Sequence, residues 1–205
     1  MGWEAWPLGN AVSNSNEEEL FTIIEFLYDN VGKPTASYQH TWNGCGIHVT
    51  ESDVEVGRAE YRDRINGLLE RYERPYTLRV DGEIWELAPD GLEPIEPVVL
   101  GEPAIDDRIG AAQASFRRFG ATEDDKRHAV RDLADVLEHL RETGQLQLPN
   151  ADEARLFEIA NQYGIRHHNP EQHDQYDSGI WLEWIYYAYL NTIATVTRLI
   201  ARGRN

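Results

Sequence analysis

Apolar residues recur at helical spacing through most of the chain. Leu20, Ile23, Ile24 and Leu27 follow one another at offsets of three and four, which predicts a helix. Asn16 stands in front of Glu17-Glu18-Glu19, an N-cap followed by acids in the first turn. Gly32-Lys33-Pro34 ends the pattern. A second helix is predicted from about residue 53 to 73, with Tyr61, Ile65, Leu68, Leu69 and Tyr72 on one side and Pro75 closing it. Residues 35–52, with Trp42, Cys45 and His48, lack that period and read as a loop or short extended segment. Tyr76–Val80 and Glu83–Leu87 alternate about Asp81-Gly82, a hairpin signal. Two helices and a hairpin predict a small N-terminal α+β domain, winged-helix-like in its order. Residues 1–16 are rich in Gly, Asn and Ser and read as a flexible tail.

Residues 88–103 are rich in Pro and Gly and mark a domain boundary, giving 17–100 and 101–205. Beyond it the pattern is helical almost throughout. One helix is expected from about Ala104 to Phe119. Thr122 caps the next, with Asp125 at N3, and Val130, Leu133, Val136, Leu137 and Leu140 form its apolar face. Asp152 opens a third, with Leu156, Phe157, Ala160 and Tyr163, and a fourth runs from about Ser178 to Arg202. Four such helices favour an antiparallel bundle, so the expected fold class is mainly α.

Of the 205 residues 41% are hydrophobic, enough for a buried core, and the net charge is −17. That balance argues against a broad basic face for nucleic acid. The deficit is uneven: residues 1–103 carry 7 basic and 20 acidic side chains, residues 104–205 carry 12 and 16. The single cysteine, Cys45, excludes an intrachain disulfide and a multi-cysteine zinc site. The start, MGWEAWPLGN, has no basic region followed by an apolar one, and Glu183, Asn191 and Arg198 interrupt the longest apolar run. No membrane partner and a cytoplasmic location are therefore expected.

The densest polar chemistry is the segment Gly164-Ile165-Arg166-His167-His168-Asn169-Pro170-Glu171-Gln172-His173-Asp174. Guanidinium stays charged and binds phosphate through two parallel hydrogen bonds. Imidazole titrates near neutrality and can move a proton to or from a ribose hydroxyl. Together they could cleave RNA without a metal, arginine stabilising the phosphorane. Two other readings stand beside this one. Such a loop can simply cap helix carbonyls and stay solvated, and His167, His168 and His173 could ligate a metal.

The spacing Arg166-x6-His173 before the final helix of a four-helix unit resembles the HEPN superfamily, whose motif is Arg, four to six residues, His. The flanks Leu156-Phe157-Glu158-Ile159-Ala160-Asn161 and Trp181-Leu182-Glu183-Trp184-Ile185 resemble those of abortive-infection proteins of the AbiJ type. Ile24-Glu25-Phe26-Leu27-Tyr28, Tyr61-Arg62-Asp63-Arg64-Ile65-Asn66 and the Asp81-Gly82-Glu83-Ile84 hairpin are similar to their small N-terminal domain. The resemblance implies a metal-independent RNA endonuclease of a toxin or anti-phage type, needing no cofactor. It implies a homodimer in which two motifs form one cleft. Arg166 would polarise the phosphate and His173 would be the acid/base. His167 and Asn169 would assist, and His168 is a competing candidate. An antitoxin or sensor protein is the implied partner, and the acidic N-terminal domain would serve it. Some HEPN domains are catalytically silent and bind only a nucleotide or a protein, which is the alternative. Where some HEPN toxins carry a modifiable tyrosine two places after the histidine, this chain has Gln175.

Two further features invite chemistry. Cys45 has His40 and His48 nearby, so a Cys–His nucleophile or a three-ligand metal site is conceivable, but a buried or half-buried loop cysteine is expected. Trp181, Trp184, Tyr186, Tyr187 and Tyr189 cover more than one helical face, and the excess over the core could form a dimer seam or a base-stacking surface.

Overall fold

The computed structural model describes residues 8–92, 98–163 and 177–203. The chain divides into two compact units, Met1–Leu87 and Ala88–Asn205. The division falls at the start of the Pro/Gly-rich stretch rather than between 100 and 101. The reason is packing: Val98 and Leu100 are buried in the core of the second unit. The architecture is mainly helical, with two small two-stranded sheets among the described residues.

The first unit opens with α1 (Leu8–Asn14), so part of the expected tail is a short helix. Helix α2 (Glu17–Asn30) starts in a capping box: Asn16 accepts from the Glu19 backbone N–H, and the Glu19 carboxylate accepts from that of Asn16. Strands β1 (Lys33–His40) and β2 (Gly46–Asp53) follow, joined through a 3₁₀ turn at Trp42–Gly44. This antiparallel ribbon occupies the stretch 35–52 that the sequence reads as a loop or short extended segment, so the extended alternative holds and the pairing of two strands is new. Its side chains are nearly all exposed, so no buried–exposed alternation announced it. Asp53 ends β2 and caps α3 (Val54–Leu69), its carboxylate accepting from the Val56 N–H.

Helix α3 ends four residues before the expected point. The amides of Arg71 and Tyr72 donate to the carbonyls of Leu68 and Leu69, a tight final turn. Tyr72 can then meet Phe21 and Tyr76 edge to face, with ring centroids 5.6 and 5.7 Å away. Strands β3 (Tyr76–Leu78) and β4 (Ile84–Glu86) form the hairpin predicted around Asp81-Gly82. Gly82 takes a left-handed φ of 91°, and a Cβ there would stand 2.9 Å from the Tyr28 ring.

Polar side chains tie these pieces together. The Asn66 amide brackets β3, accepting from the Leu78 N–H at 2.7 Å and donating to the Leu78 carbonyl at 3.2 Å. The Glu25 carboxylate accepts from the Ile84 N–H at 2.9 Å. Tyr61 donates to the Ile24 carbonyl, and burial pushes its phenol up to about 12. Gly57 lets α3 approach the start of β1, because a Cβ there would lie 2.5 Å from the Lys33 backbone nitrogen. Gly57→Ala is therefore expected to destabilise this unit by about 1–3 kcal/mol, read from urea unfolding.

The second unit packs α4 (Pro103–Arg117), α5 (Glu123–Glu142), α6 (Asn150–Gln162) and α7 (Ser178–Gly203) about one core. Helix α5 lies at its centre, burying Ala129, Val130, Leu133, Ala134, Val136, Leu137 and Leu140. The rings of Phe116 on α4 and Tyr186 on α7 stack with centroids 3.9 Å apart. The Tyr189 hydroxyl donates to the Leu156 carbonyl, joining α7 to α6. The long apolar stretch of the sequence is thus a core helix. Among the described residues no helix is long and apolar enough to cross a membrane.

The capping box predicted at Thr122 and Asp125 is present, with the Thr122 hydroxyl accepting from the Asp125 N–H and the Asp125 carboxylate accepting from that of Thr122. Thr122→Ala is expected to cost about 1 kcal/mol, measurable by thermal or chemical denaturation.

Candidate functional site

Arg166, His167, His168, Asn169 and His173 all lie outside the described residues. Their place in the chain is nevertheless defined. They belong to the connection that leaves α6 after Gln162 and returns to the chain at Ser178, the first residue of α7. The structure describes the frame at both ends of that connection.

One helix fastens both ends. Near the start of α5, Arg127 donates through Nη2 to Glu123 Oε1 at 2.8 Å and through Nη1 to the Tyr163 carbonyl at 3.5 Å, a weak bond. The second oxygen of Glu123 accepts from the Ser178 hydroxyl at 2.8 Å. Arg127 thus holds the exit from α6, and Glu123 holds the return into α7. Asp177 caps α7, its carboxylate accepting from the Ile180 N–H at 3.1 Å. The Tyr163 and Trp181 rings lie 5.2 Å apart, closing the same gap from the aromatic side.

The Ser178 hydroxyl, with Arg127 adding to it, holds the Glu123 carboxyl below the usual glutamate range. The clasp is therefore fully formed above the ordinary carboxylate pKa and is lost as pH falls through the lowered value. Ser178→Ala should move the Glu123 titration upward, followed by carboxyl NMR. An unchanged titration would mean that the hydroxyl contributes nothing.

Beside this clasp the first turns of α7 expose apolar surface. Ile180 is 62% exposed, Trp184 45% and Trp181 39%. Tyr186, Tyr187 and Tyr189 are buried, so the aromatic excess in the sequence separates into a core face and an outward patch. The two tryptophans meet edge to face with centroids 5.7 Å apart.

A second constellation sits at the tip of the β1–β2 ribbon. Tyr38 is opposite His48 and His40 is opposite Gly46, so the alternation of the strands puts both histidines on one face. The 3₁₀ turn then brings Cys45 to them. Ligand atoms of His40, Cys45 and His48 lie within 4.8 Å of one another. Cys45 is exposed, which corrects the expectation of a buried or half-buried thiol. An exposed ribbon tip offers no core to receive it. The three side chains were visible in the sequence as neighbours, but their convergence depends on the hairpin register.

Comparison with family models, with curated proteins and with solved structures gave no match.

Proposed function

We propose that the protein is a metal-independent RNA endonuclease of the HEPN type, acting as a homodimer in a toxin or anti-phage role. The observation that carries this reading is the position of Arg166-x6-His173: it spans the connection between the last two helices of a four-helix unit. Three further features support it. The ends of that connection are clamped by Arg127 and Glu123. The adjoining turns of α7 expose an apolar patch suited to a second copy. The residue types match the chemistry.

In this mechanism Arg166 pairs with the scissile phosphate. His173 takes the proton from the neighbouring ribose 2′-hydroxyl, and the freed oxygen attacks phosphorus. The bond from phosphorus to the 5′-oxygen breaks, and that oxygen takes a proton from the imidazolium of the second motif across the dimer. The extra negative charge on the phosphorane is met by guanidinium. His167 and Asn169 would orient the phosphate, with His168 as the alternative proton carrier. The overall acidity of the chain repels RNA, so binding should weaken steeply with salt only if the cleft is locally positive.

The test is to incubate the purified protein with RNA in EDTA. Cleavage that persists in the chelator and disappears in Arg166→Ala supports the proposal. RNA left intact by the folded wild-type dimer favours the silent, ligand-binding alternative.

A further inference from the structure

We propose that His40, Cys45 and His48 form a binding site for a zinc-class divalent ion at the tip of the β1–β2 ribbon. The proposal is independent of the nuclease reading, since it concerns the other unit of the chain.

The donor set comes first. Two imidazoles and one thiol bring their ligand atoms within 4.8 Å of one another. A tetrahedral zinc ion binds nitrogen at about 2.0–2.1 Å and sulfur at about 2.3 Å, so small side-chain rotations close the cluster onto it. Soft sulfur with imidazole nitrogen selects zinc, cobalt or copper over magnesium and calcium, which require oxygen ligands.

The cluster also carries an unsatisfied group. His40 Nδ1 is shut off from solvent and has no hydrogen-bond partner among the described residues. A buried lone pair or N–H without a partner is costly. A metal ion bound through Nδ1 would relieve this by taking that nitrogen's lone pair.

The backbone is shaped for the cluster. Asn43, Gly44 and Gly46 take left-handed φ values of 58°, 71° and 83°, which turn the chain tightly enough to bring Cys45 back over the strand pair. The Tyr38 ring stacks on His48 with centroids 5.3 Å apart and planes 16° apart, and the two histidine rings meet edge to face at 5.2 Å. An isolated two-stranded ribbon is marginal in water. A metal at its tip would staple strands whose side chains are almost all exposed and which pair with no third strand among the described residues. On binding, the Cys45 thiol gives up its proton and the sulfur–metal bond forms, while both histidines bind as neutral imidazoles. Three protein ligands leave a fourth position to water at this exposed tip.

The experiment uses the untagged full chain and cobalt(II) as a spectroscopic probe. Titration should give one equivalent bound, with a thiolate-to-cobalt charge-transfer band and the intense visible bands of a four-coordinate ion. Cys45→Ser should abolish the charge-transfer band. His40→Ala and His48→Ala should each weaken binding by at least about tenfold, since losing even an outer-shell partner of a metal ligand costs that much. The H167A/H168A/H173A variant should keep the band, which separates this site from the histidines between α6 and α7. Zinc should also protect Cys45, the sole thiol of the chain, from alkylation by iodoacetamide. That readout needs no substitution and so does not depend on a variant folding. A wild-type protein with no charge-transfer band, or a thiol alkylated equally fast with and without zinc, overturns the proposal. So does undiminished cobalt affinity in both histidine variants.

Discussion

On the proposed mechanism, His173→Ala should lower RNA cleavage by about 10²–10⁴-fold, the range expected when a positioned acid/base is removed. Arg166→Ala should lower it by about 10²–10³-fold, comparable to the loss of one donor to a developing oxyanion. The two substitutions fail for different reasons, so they can be told apart. Without His173 the 2′-hydroxyl would keep its proton, and the loss should fall mainly on kcat. Without Arg166 the phosphate would also lose a charged, bidentate partner, and KM should rise as well. Arg166→Lys keeps the charge but not the planar fork, and it should recover only part of the activity. Single-turnover cleavage of a short labelled RNA over a range of protein concentrations up to saturation checks each value. Circular dichroism and a native mass equal to that of the wild-type protein confirm that the variants are folded.

Leu137→Ala should destabilise the second unit by about 2–5 kcal/mol. Leu137 is wholly buried at the centre of α5, in the core shared with α4 and α7. Its removal leaves a cavity in a packed layer that includes the Phe116–Tyr186 stack, where neighbours cannot collapse freely. Leu68→Ala provides the contrast. Leu68 is 55% exposed although it falls on the expected apolar side of α3, and its loss should change stability by no more than about 0.5 kcal/mol. Urea unfolding followed by far-UV circular dichroism measures both. Equal effects at the two positions would contradict the assignment of the core.

These contrasts show where sequence patterns carry structural information. The starts of α2 and α5 were legible because Asn16 and Thr122 satisfy free amides within their own first turns, a local requirement. The β3–β4 hairpin was legible because its turn needs a left-handed residue and the chain supplies Gly82. The β1–β2 ribbon was not legible. Neither of its faces is buried, and its apolar alternations, Pro34-Ala36-Tyr38 and Ile47-Val49, are too short and weak to mark a core-facing strand. The end of α3 was misplaced because Tyr72 serves an aromatic cluster with Phe21 and Tyr76 rather than continuing the helix. The same contrast applies to the candidate chemistry. Arg166 and His173 are read from residue types and spacing, and α6 and α7 bracket them. The meeting of His40, Cys45 and His48 is a product of strand register. The clamp made by Arg127, Glu123 and Ser178 is equally tertiary, joining residues up to 55 positions apart.

The chemistry of the cut ends tests the central claim most directly. Attack by the 2′-hydroxyl, promoted by imidazole and guanidinium, leaves a 2′,3′-cyclic phosphate on one fragment and a 5′-hydroxyl on the other. Mass spectrometry of a short RNA cut in EDTA should show that pair of ends, and a 2′-deoxy sugar at the scissile position should block the cut. Fragments ending in a 3′-hydroxyl and a 5′-phosphate, or a deoxy substrate cut at the same rate, would contradict the account.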